Sequence, residues 1–231
     1  MRYTHIILTQ DHLANLDKSI RISRILFSID RIIVVVPDGQ MVKYIDKIQE
    51  MKKNWKDIEL KEISMDGIEI CALDLCEIVQ DAIVRGDGNK KDIILNISFS
   101  NNIFVLAGLF CASILKKKII SVVNGEPEMI SRIPCQELPP IRYALLSEIP
   151  ENGCNQKFLM DTLNKAIEVG RYQDLGSAKI TPLTPTNLSY HIRSLDRDEY
   201  IIRETLGREK ELMITNLGRL MKMSYAILHM K

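Results

Sequence analysis

One predicted helix near the end of the sequence carries side-chain types suited to contacts with nucleic acid. Thr184 can cap the free backbone N–H groups of a helix that opens with Pro185. Leu188, Ile192 and Leu195 recur at i, i+4 and i+7, so they form its packing face. Hydroxyl, amide and guanidinium groups remain for the other side, where they can hydrogen-bond phosphates and base edges in a major groove. The predicted DNA-contacting residues of this helix are Thr184, Thr186, Asn187, Ser189, Tyr190, His191 and Arg193.

A β-hairpin is predicted to follow this helix. Tyr200–Arg203 and Glu211–Thr215 have strand character, and the segment Leu206–Arg208 has turn character. Arg208 and Lys210 place positive charge at the hairpin tip, where we expect them to contact phosphates or a minor groove. Together the helix and the hairpin predict a winged helix-turn-helix.

A more ordinary interpretation is a helix and a hairpin of any α+β domain, with a polar helix face that is merely solvated. The distribution of charge argues against it. No Asp or Glu occurs between Asp174 and Asp196, and only Lys179 and Arg193 are charged there. A surface without carboxylates suits a polyanion such as duplex DNA.

Composition limits the remaining possibilities. The sequence of 231 residues is long enough for two small domains, each with its own core. It holds 31 Lys and Arg residues against 30 Asp and Glu residues, so net charge alone does not indicate DNA binding. No apolar run is long enough to span a bilayer, and the N-terminus lacks a signal-peptide pattern. We therefore expect a cytoplasmic protein without a membrane partner.

The cysteines and histidines form no recognisable metal or catalytic set. The five cysteines include no CxxC pair and have no histidine at metal-ligand spacing, so no metal site is expected. Cys71, Cys76 and Cys111 lie among apolar residues of predicted helices and are expected to pack as small hydrophobes. His5 is expected to be structural because it lies in a predicted strand. We predict no catalytic residue and no bound cofactor.

The first 135 residues alternate short apolar runs with amphipathic helical stretches, which is typical of an α/β fold. Runs such as Ile32–Val36 are apolar throughout, as strands buried between helix layers must be. We predict a Rossmann-like, mostly parallel sheet of five or more strands with flanking helices. The predicted strands are Ile6–Leu8, Arg31–Val36, Ile58–Ile63, Asp92–Ile97 and Ile119–Val123. The predicted helices between them are Asp17–Phe27, Met41–Lys53, Ile68–Val84 and Ile103–Leu115.

Ligands of such sheets bind beyond the carboxyl ends of the strands, so the loops there are candidate binding residues. They are rich in hydroxyls and amides, which suit a ligand with phosphates and hydrogen-bonding bases. The predicted ligand-binding residues are Thr9, Gln10, Asp11, His12, Asn96, Ser98, Phe99, Ser100, Asn101, Asn102, Asn124 and Gly125. The alternative is that these are ordinary capping loops. Neither a dinucleotide fingerprint nor a P-loop motif is present.

Two of these residues have further interpretations. Phe99 is either an apolar plug under its loop, which we favour, or a ring on which a base stacks. His12 has the chemistry of a general base for an RNA 2′-hydroxyl, but the sequence offers it no partner acid.

Residues 154–231 are predicted to form the DNA-binding domain, after a linker over residues 136–153. Three prolines within the seven residues Pro134–Pro140 stiffen this connection. Phe158–Arg171 is predicted to be the first helix of the domain. A short second helix is predicted over Leu175–Leu183, although Gly176 and Pro182 interrupt it. Met221–Met230 is predicted to be a closing helix.

Both halves of the sequence resemble known families. The run Leu183–Leu195 resembles the recognition helix of winged-helix regulators, and Ile214–Gly218 resembles the end of their wing. Thr4–Ile7 and Asp92–Ser100 look like the corresponding segments of archaeal regulators built from a CRISPR-associated Rossmann fold (CARF) domain. The resemblance implies a ligand-responsive transcriptional regulator. It would act as a homodimer that binds a cyclic oligoadenylate, a nucleotide second messenger, and double-stranded operator DNA near CRISPR-related genes.

The sequence departs from that family in one loop. Members often have Gly and a Lys or Arg after the fourth strand, whereas Ser98–Asn102 contains neither. The alternatives for this site are therefore a different ligand or no ligand. An alternative function is a CARF enzyme that cleaves a cyclic oligonucleotide and uses the winged helix as an interaction module. A third is a winged helix that contacts only proteins.

Overall fold

The computed structural model describes residues 3–10, 13–85, 92–123, 125–131, 138–173, 180–206 and 209–229. The chain divides into two compact units, Met1–Cys135 and Gln136–Lys231. No helix in the described part of the chain combines the length and the apolar character needed to cross a membrane.

The first unit is a mixed α/β fold around a mostly parallel sheet. Its elements are β1 (Tyr3–Thr9), α1 (Leu13–Leu26), β2 (Ile29–Pro37), α2 (Met41–Met51), β3 (Ile58–Ile63), α3 (Ile68–Val84), β4 (Asp92–Phe99), α4 (Asn102–Ile114), β5 (Lys118–Val123) and β6 (Glu126–Ile130). The strand order is β3-β2-β1-β4-β5-β6, and only β6 pairs antiparallel with its neighbour. This confirms the predicted fold class of the unit.

Helices cover both faces of this sheet because its central strands are apolar on both sides. Ile7 packs with α1 and α2 in one core, whose members include Leu16 and Tyr44. The next residue, Leu8, points to the opposite face, where a Cβ added to Gly108 of α4 would meet its side chain at 2.9 Å. Glycine at position 108 therefore lets α4 lie close to the sheet.

The predicted cysteine packing is confirmed. Cys71, Cys76 and Cys111 are free and fully buried in helices α3 and α4. Burial raises the pKa of Cys71 to about 12, so this thiol stays protonated and behaves as an apolar side chain.

The end of the sheet differs from the prediction, because β6 follows the strand that was expected to be last. Val123 pairs with Glu126 in a tight antiparallel hairpin. Gly125 occupies its turn with a φ of 84°, a conformation that favours glycine. The Asn-Gly pair, assigned to a ligand loop, is the strongest sequence signal for such a turn.

The second unit combines helices with a small antiparallel sheet. Its elements are α5 (Pro140–Glu148), β7 (Cys154–Asn155), α6 (Gln156–Glu168), α7 (Pro185–Arg197), β8 (Ile201–Leu206), β9 (Glu209–Ile214) and α8 (Asn216–His229). The strand order is β7-β9-β8. Helix α7 and the β8–β9 hairpin correspond to the predicted helix and hairpin.

Two predictions for this unit need correction. The predicted linker contains α5, whose Tyr143, Leu145 and Leu146 are buried, so apolar side chains order this segment. The short helix predicted to end at Leu183 is absent from the described residues 180–183, where Pro182 disfavours helix. The rest of that predicted helix, residues 175–179, lies outside the described residues.

Candidate functional site

Helix α7 begins as its sequence predicts. Thr184 has an extended backbone, and its Oγ1 accepts a hydrogen bond from the Asn187 N–H at 3.3 Å. Leu188, Ile192 and Leu195 are buried. These contacts set the rotation of the helix and therefore which side chains face solvent.

The outward side of α7 presents neutral polar groups and one arginine. Thr186, Asn187 and Arg193 are exposed, and Tyr190 has 64% of its surface accessible. Ser189 is half-buried at the edge of this face. We call Thr186, Asn187, Tyr190 and Arg193 the α7 face. Its groups can donate to phosphates and to base edges.

His191 differs from the other predicted contacts because its ring is half-buried. The ring packs edge-on against Tyr190, with 5.2 Å between centroids. Burial and then the charge of Arg142 lower the pKa of His191. The imidazole is therefore neutral at pH 7 and supplies no positive charge to a phosphate.

The arginines near α7 differ in their ion pairs. Arg197 bonds Asp198 at 3.1 Å, and Arg203 bonds Asp196 at 2.8 Å. Among the side chains that the structure describes, no carboxylate lies within ion-pair distance of Arg193. Arg193 therefore keeps its charge available for an anionic partner.

Two contacts that the sequence patterns did not predict fix the backbone directly before α7 and directly before β8. The side-chain amide of Asn164 on α6 bonds the backbone of Leu183, directly before α7. A Cβ on Gly218 would lie 2.1 Å from the Tyr200 carbonyl oxygen, so α8 can pass the start of β8 only with glycine there. A polar residue inside an amphipathic helix gives no sequence signal for the first contact.

The predicted cations of the hairpin belong to its tip. Arg208 lies outside the described residues, as does the side chain of Lys210. Strands β8 and β9 pair up to Leu206 and Glu209, next to the tip.

In the first unit, the ends of β1 and β4 come together at the carboxyl edge of the sheet. Thr9 pairs with Phe99, so both strands end at the same level. The Ser100 hydroxyl donates to the Leu8 carbonyl oxygen at 2.7 Å, and the Asn101 amide donates to the Gln10 Oε1. The two loops therefore form one polar surface.

The side chains of this surface differ in their burial and in their hydrogen bonds. Asn101 caps α4, since its Oδ1 accepts from the Phe104 N–H at 2.8 Å. Asn102 is exposed at the first position of α4. Thr9 is only 1% exposed, and its Oγ1 has no hydrogen-bond partner among the described residues. We call Thr9, Gln10, Ser100, Asn101 and Asn102 the edge cluster.

Asn96 does not belong to this surface, although it was predicted to bind ligand. It is fully buried, and its amide donates to the Ser19 Oγ at 2.8 Å. Asn96 lies on the strand face that α1 covers, so its side chain cannot reach a ligand in solvent. Its neighbour Ser98 is half-buried, and the Ser98 Oγ accepts from the Val122 N–H at 2.8 Å.

The remaining predicted ligand residues are less defined. Gly125 is exposed in the turn between β5 and β6. Asp11, His12 and Asn124 lie outside the described residues, as does the side chain of Phe99. Within the described ranges, no group of three or more His, Cys, Asp and Glu side chains could hold a metal ion. The edge cluster supplies neutral donors and acceptors, which can bind bases and phosphate oxygens.

No protein-family model matches this chain. It is 21% identical over 217 residues to an uncharacterized protein of Archaeoglobus fulgidus, a match that covers 94% of this chain and 95% of that protein. The structure is similar to the crystal structure of protein VC1899 from Vibrio cholerae, with a TM-score of 0.44 and 13% identity, over 98% of this chain and 65% of that one.

Two further solved structures are similar. Can2 from Sulfobacillus thermosulfidooxidans, in complex with cyclic tetra-adenylate, has a TM-score of 0.40 and 15% identity, over 97% of this chain and 61% of Can2. Csm6 of Enterococcus italicus, bound to cyclic hexa-2′-fluoro-hexa-dAMP, has a TM-score of 0.39 and 12% identity, over 87% of this chain and 56% of Csm6. The chain thus spans between 56% and 65% of the length of these three proteins.

Proposed function

We propose that this protein is a dimeric, DNA-binding transcriptional regulator whose first unit senses a cyclic oligoadenylate or a related nucleotide. The observation that carries the proposal is the α7 face, which is exposed, contains no carboxylate and ends in an arginine without an ion pair to any described side chain. A helix of this kind enters a major groove, while the adjacent β8–β9 hairpin contacts the flanking backbone.

The two kinds of group on the α7 face have different tasks in this proposal. Arg193 binds phosphate and contributes affinity that does not depend on sequence. Asn187 hydrogen-bonds a base edge, because an amide can pair with the N6 and N7 groups of adenine. Operator preference therefore depends on Asn187, and the salt dependence of binding depends on Arg193.

The edge cluster is the proposed effector site. Gln10, Ser100 and Asn101 are half-buried and Asn102 is exposed, so a ligand can reach them from solvent, whereas Thr9 is buried. Amide and hydroxyl groups from Gln10, Ser100 and Asn102 match the bases and phosphate oxygens of a nucleotide. The N-terminus of α4 adds a favourable site for phosphate.

Dimerisation is proposed to use the outer side of α4. This helix contains no charged residue, and Leu106 on its outer side is 45% exposed. A helix that is apolar on all sides is normally covered. A second copy fits because two such faces meet without charge repulsion, and a regulator with one reading helix per chain needs two copies for two half-sites.

The test is selection of duplex DNA from a random pool by the full chain, at several salt concentrations, with and without cyclic tetra-adenylate. We expect a twofold-symmetric sequence, an affinity that falls with salt, and a change of affinity when the nucleotide is added. Binding without salt dependence, or no binding, would contradict the regulator. Analysis of the recovered nucleotide adds a second outcome, since linear product would favour the cleaving enzyme.

A further inference from the structure

Asn96 lies at the centre of a buried hydrogen-bond network under the edge cluster. Its Nδ2 lies 2.8 Å from the Ser19 Oγ, 3.3 Å from the Ser23 Oγ and 3.2 Å from the His5 Nε2. Its Oδ1 accepts from the Ser98 N–H at 3.0 Å and from the Ser98 hydroxyl. One side chain therefore connects α1, β1 and the end of β4.

The orientation of this amide follows from its partners. Because the Ser98 N–H is a donor, the atom that faces it must be the oxygen Oδ1. The nitrogen Nδ2 then faces α1 and the His5 ring, so the His5 Nε2 must be the acceptor and the ring must be neutral. Burial lowers the pKa of His5, in agreement with a neutral ring. An amide can donate on one side and accept on the other in this way, whereas an ionised carboxylate of the same size can only accept.

Ser98 extends the network to a further strand. Its hydroxyl donates to the Asn96 Oδ1 and accepts from the Val122 N–H at 2.8 Å. Two residues later the Ser100 hydroxyl binds the Leu8 carbonyl oxygen at 2.7 Å. The start of the loop that carries Ser100 and Asn101 is thus hydrogen-bonded to Asn96, to β5 and to β1.

We infer that Asn96 is a positioning residue. It fixes the loop from Ser98 to Asn102 relative to α1, and so sets the positions of the edge-cluster side chains without contacting their ligand. The inference rests on the proposed effector site. Because Asn96 bonds both this loop and α1, a movement of the loop on ligand binding is transmitted through Asn96 to α1. Ser19 and Ser23, which receive that movement, lie one helical turn apart on α1.

The test uses Asn96→Leu, Ser98→Ala and the double variant, with Ile94→Val as a matched control. Ile94 is fully buried on β4 and shares the strand face of Asn96, so its truncation measures mild loss of packing without loss of the network. We expect Asn96→Leu and Ser98→Ala each to weaken binding of cyclic tetra-adenylate about tenfold. The double variant should lose little more than either single variant, because both break the same connection.

A second measurement does not depend on the effector. Amide hydrogen exchange should become faster in Asn96→Leu at residues 98–104 and in α1, and should stay near the parent value in Ile94→Val. Affinity for the selected DNA without effector should not change. Additive affinity losses in the double variant, or exchange equal to that of Ile94→Val, would overturn the inference. If the parent protein binds no cyclic tetra-adenylate, the proposed effector is wrong, and hydrogen exchange alone decides the role of Asn96.

Discussion

The Asn164 side chain hydrogen-bonds both backbone groups of Leu183. Its Oδ1 accepts from the Leu183 N–H at 2.7 Å, and its Nδ2 donates to the Leu183 carbonyl oxygen at 3.1 Å. The Asn164 amide thus satisfies both backbone groups of Leu183, as a neighbouring strand would do in a sheet. Since Thr184 caps α7 at the next position, α6 fixes the point from which α7 starts.

Replacement of Asn164 by alanine should weaken DNA binding although Asn164 lies behind the α7 face. Two half-buried backbone groups of Leu183 lose their partner, and we expect a loss of about 2 kcal/mol in the free energy of unfolding. DNA affinity should fall several-fold because the start of α7 is less well fixed. Urea unfolding and DNA titration measure the two effects. Asn164→Asp keeps the acceptor for the Leu183 N–H, so its losses should be smaller; equal losses would contradict the paired hydrogen bonds.

Arg193→Ala should reduce the salt dependence of DNA binding. The slope of log affinity against log salt concentration should become shallower by about one unit, because one phosphate contact disappears. Arg197→Ala is the matched control, since Arg197 lies one turn later on the same helix but is bonded to Asp198. A larger change of slope for Arg197→Ala than for Arg193→Ala would show that the α7 face is misassigned.

Asn187→Ala should act differently from Arg193→Ala. Removal of an amide that contacts a base edge should relax sequence preference at one operator position, by about 1–3 kcal/mol of discrimination, with little effect on the salt slope. A comparison of affinities for the selected operator and for single-base variants measures this. Uniform weakening across all sequences would place Asn187 at the backbone instead.

Leu106→Lys should convert the dimer into a monomer. The side chain is 45% exposed on α4, so a lysine there leaves the core intact but puts two like charges near the proposed twofold axis. Sedimentation velocity measures the change. Val42→Lys is the control, because Val42 is 80% exposed on α2, away from the proposed interface. Loss of the dimer in both variants, or in neither, would contradict the assignment of α4.

The stability of the first unit should decrease when the pH falls below about 6.5. Burial lowers the pKa of His5 to about 3 from 6.5 in the unfolded chain, so between these values the unfolded chain binds one more proton than the folded protein. Acidification therefore favours unfolding, by at most ~1.4 kcal/mol per pH unit from this group. Urea unfolding of parent and His5→Gln between pH 7 and pH 4 isolates the contribution, because carboxylates titrate in both. An equal pH dependence in the two proteins would refute it.

Several elements were predictable because they depend on neighbours in the sequence. The apolar run Ile32–Val36 indicates a buried parallel strand, and the structure places it between β1 and β3, parallel to both. The helix predicted over Ile68–Val84 has these same bounds in the structure. The Thr184 cap and the apolar spacing of α7 likewise predicted which side of that helix is buried. In each case the signal is periodicity or capping within a few residues.

Other predictions failed because local chemistry does not reveal burial. Asn96 has a side chain that suits ligand binding, yet it lies inside because its position on β4 turns it toward α1, which covers that face of the sheet. Gly125 lies in the hairpin turn before β6, a strand that was not predicted, and its part in ligand binding stays a prediction. Polar residue type alone cannot distinguish a ligand contact from an internal hydrogen bond.

The sequence by itself determined the α/β character of the first unit and the polar outward side of α7, since hydrophobic periodicity specifies which side of a helix or strand is buried. Only the tertiary structure decided that Asn101 bonds Gln10 and that Asn164 holds Leu183. It also decided that Arg197 is paired while Arg193 has no ion pair among the side chains that are described. Such pairings depend on how distant segments pack, and that information is not contained in the spacing of residues along the chain.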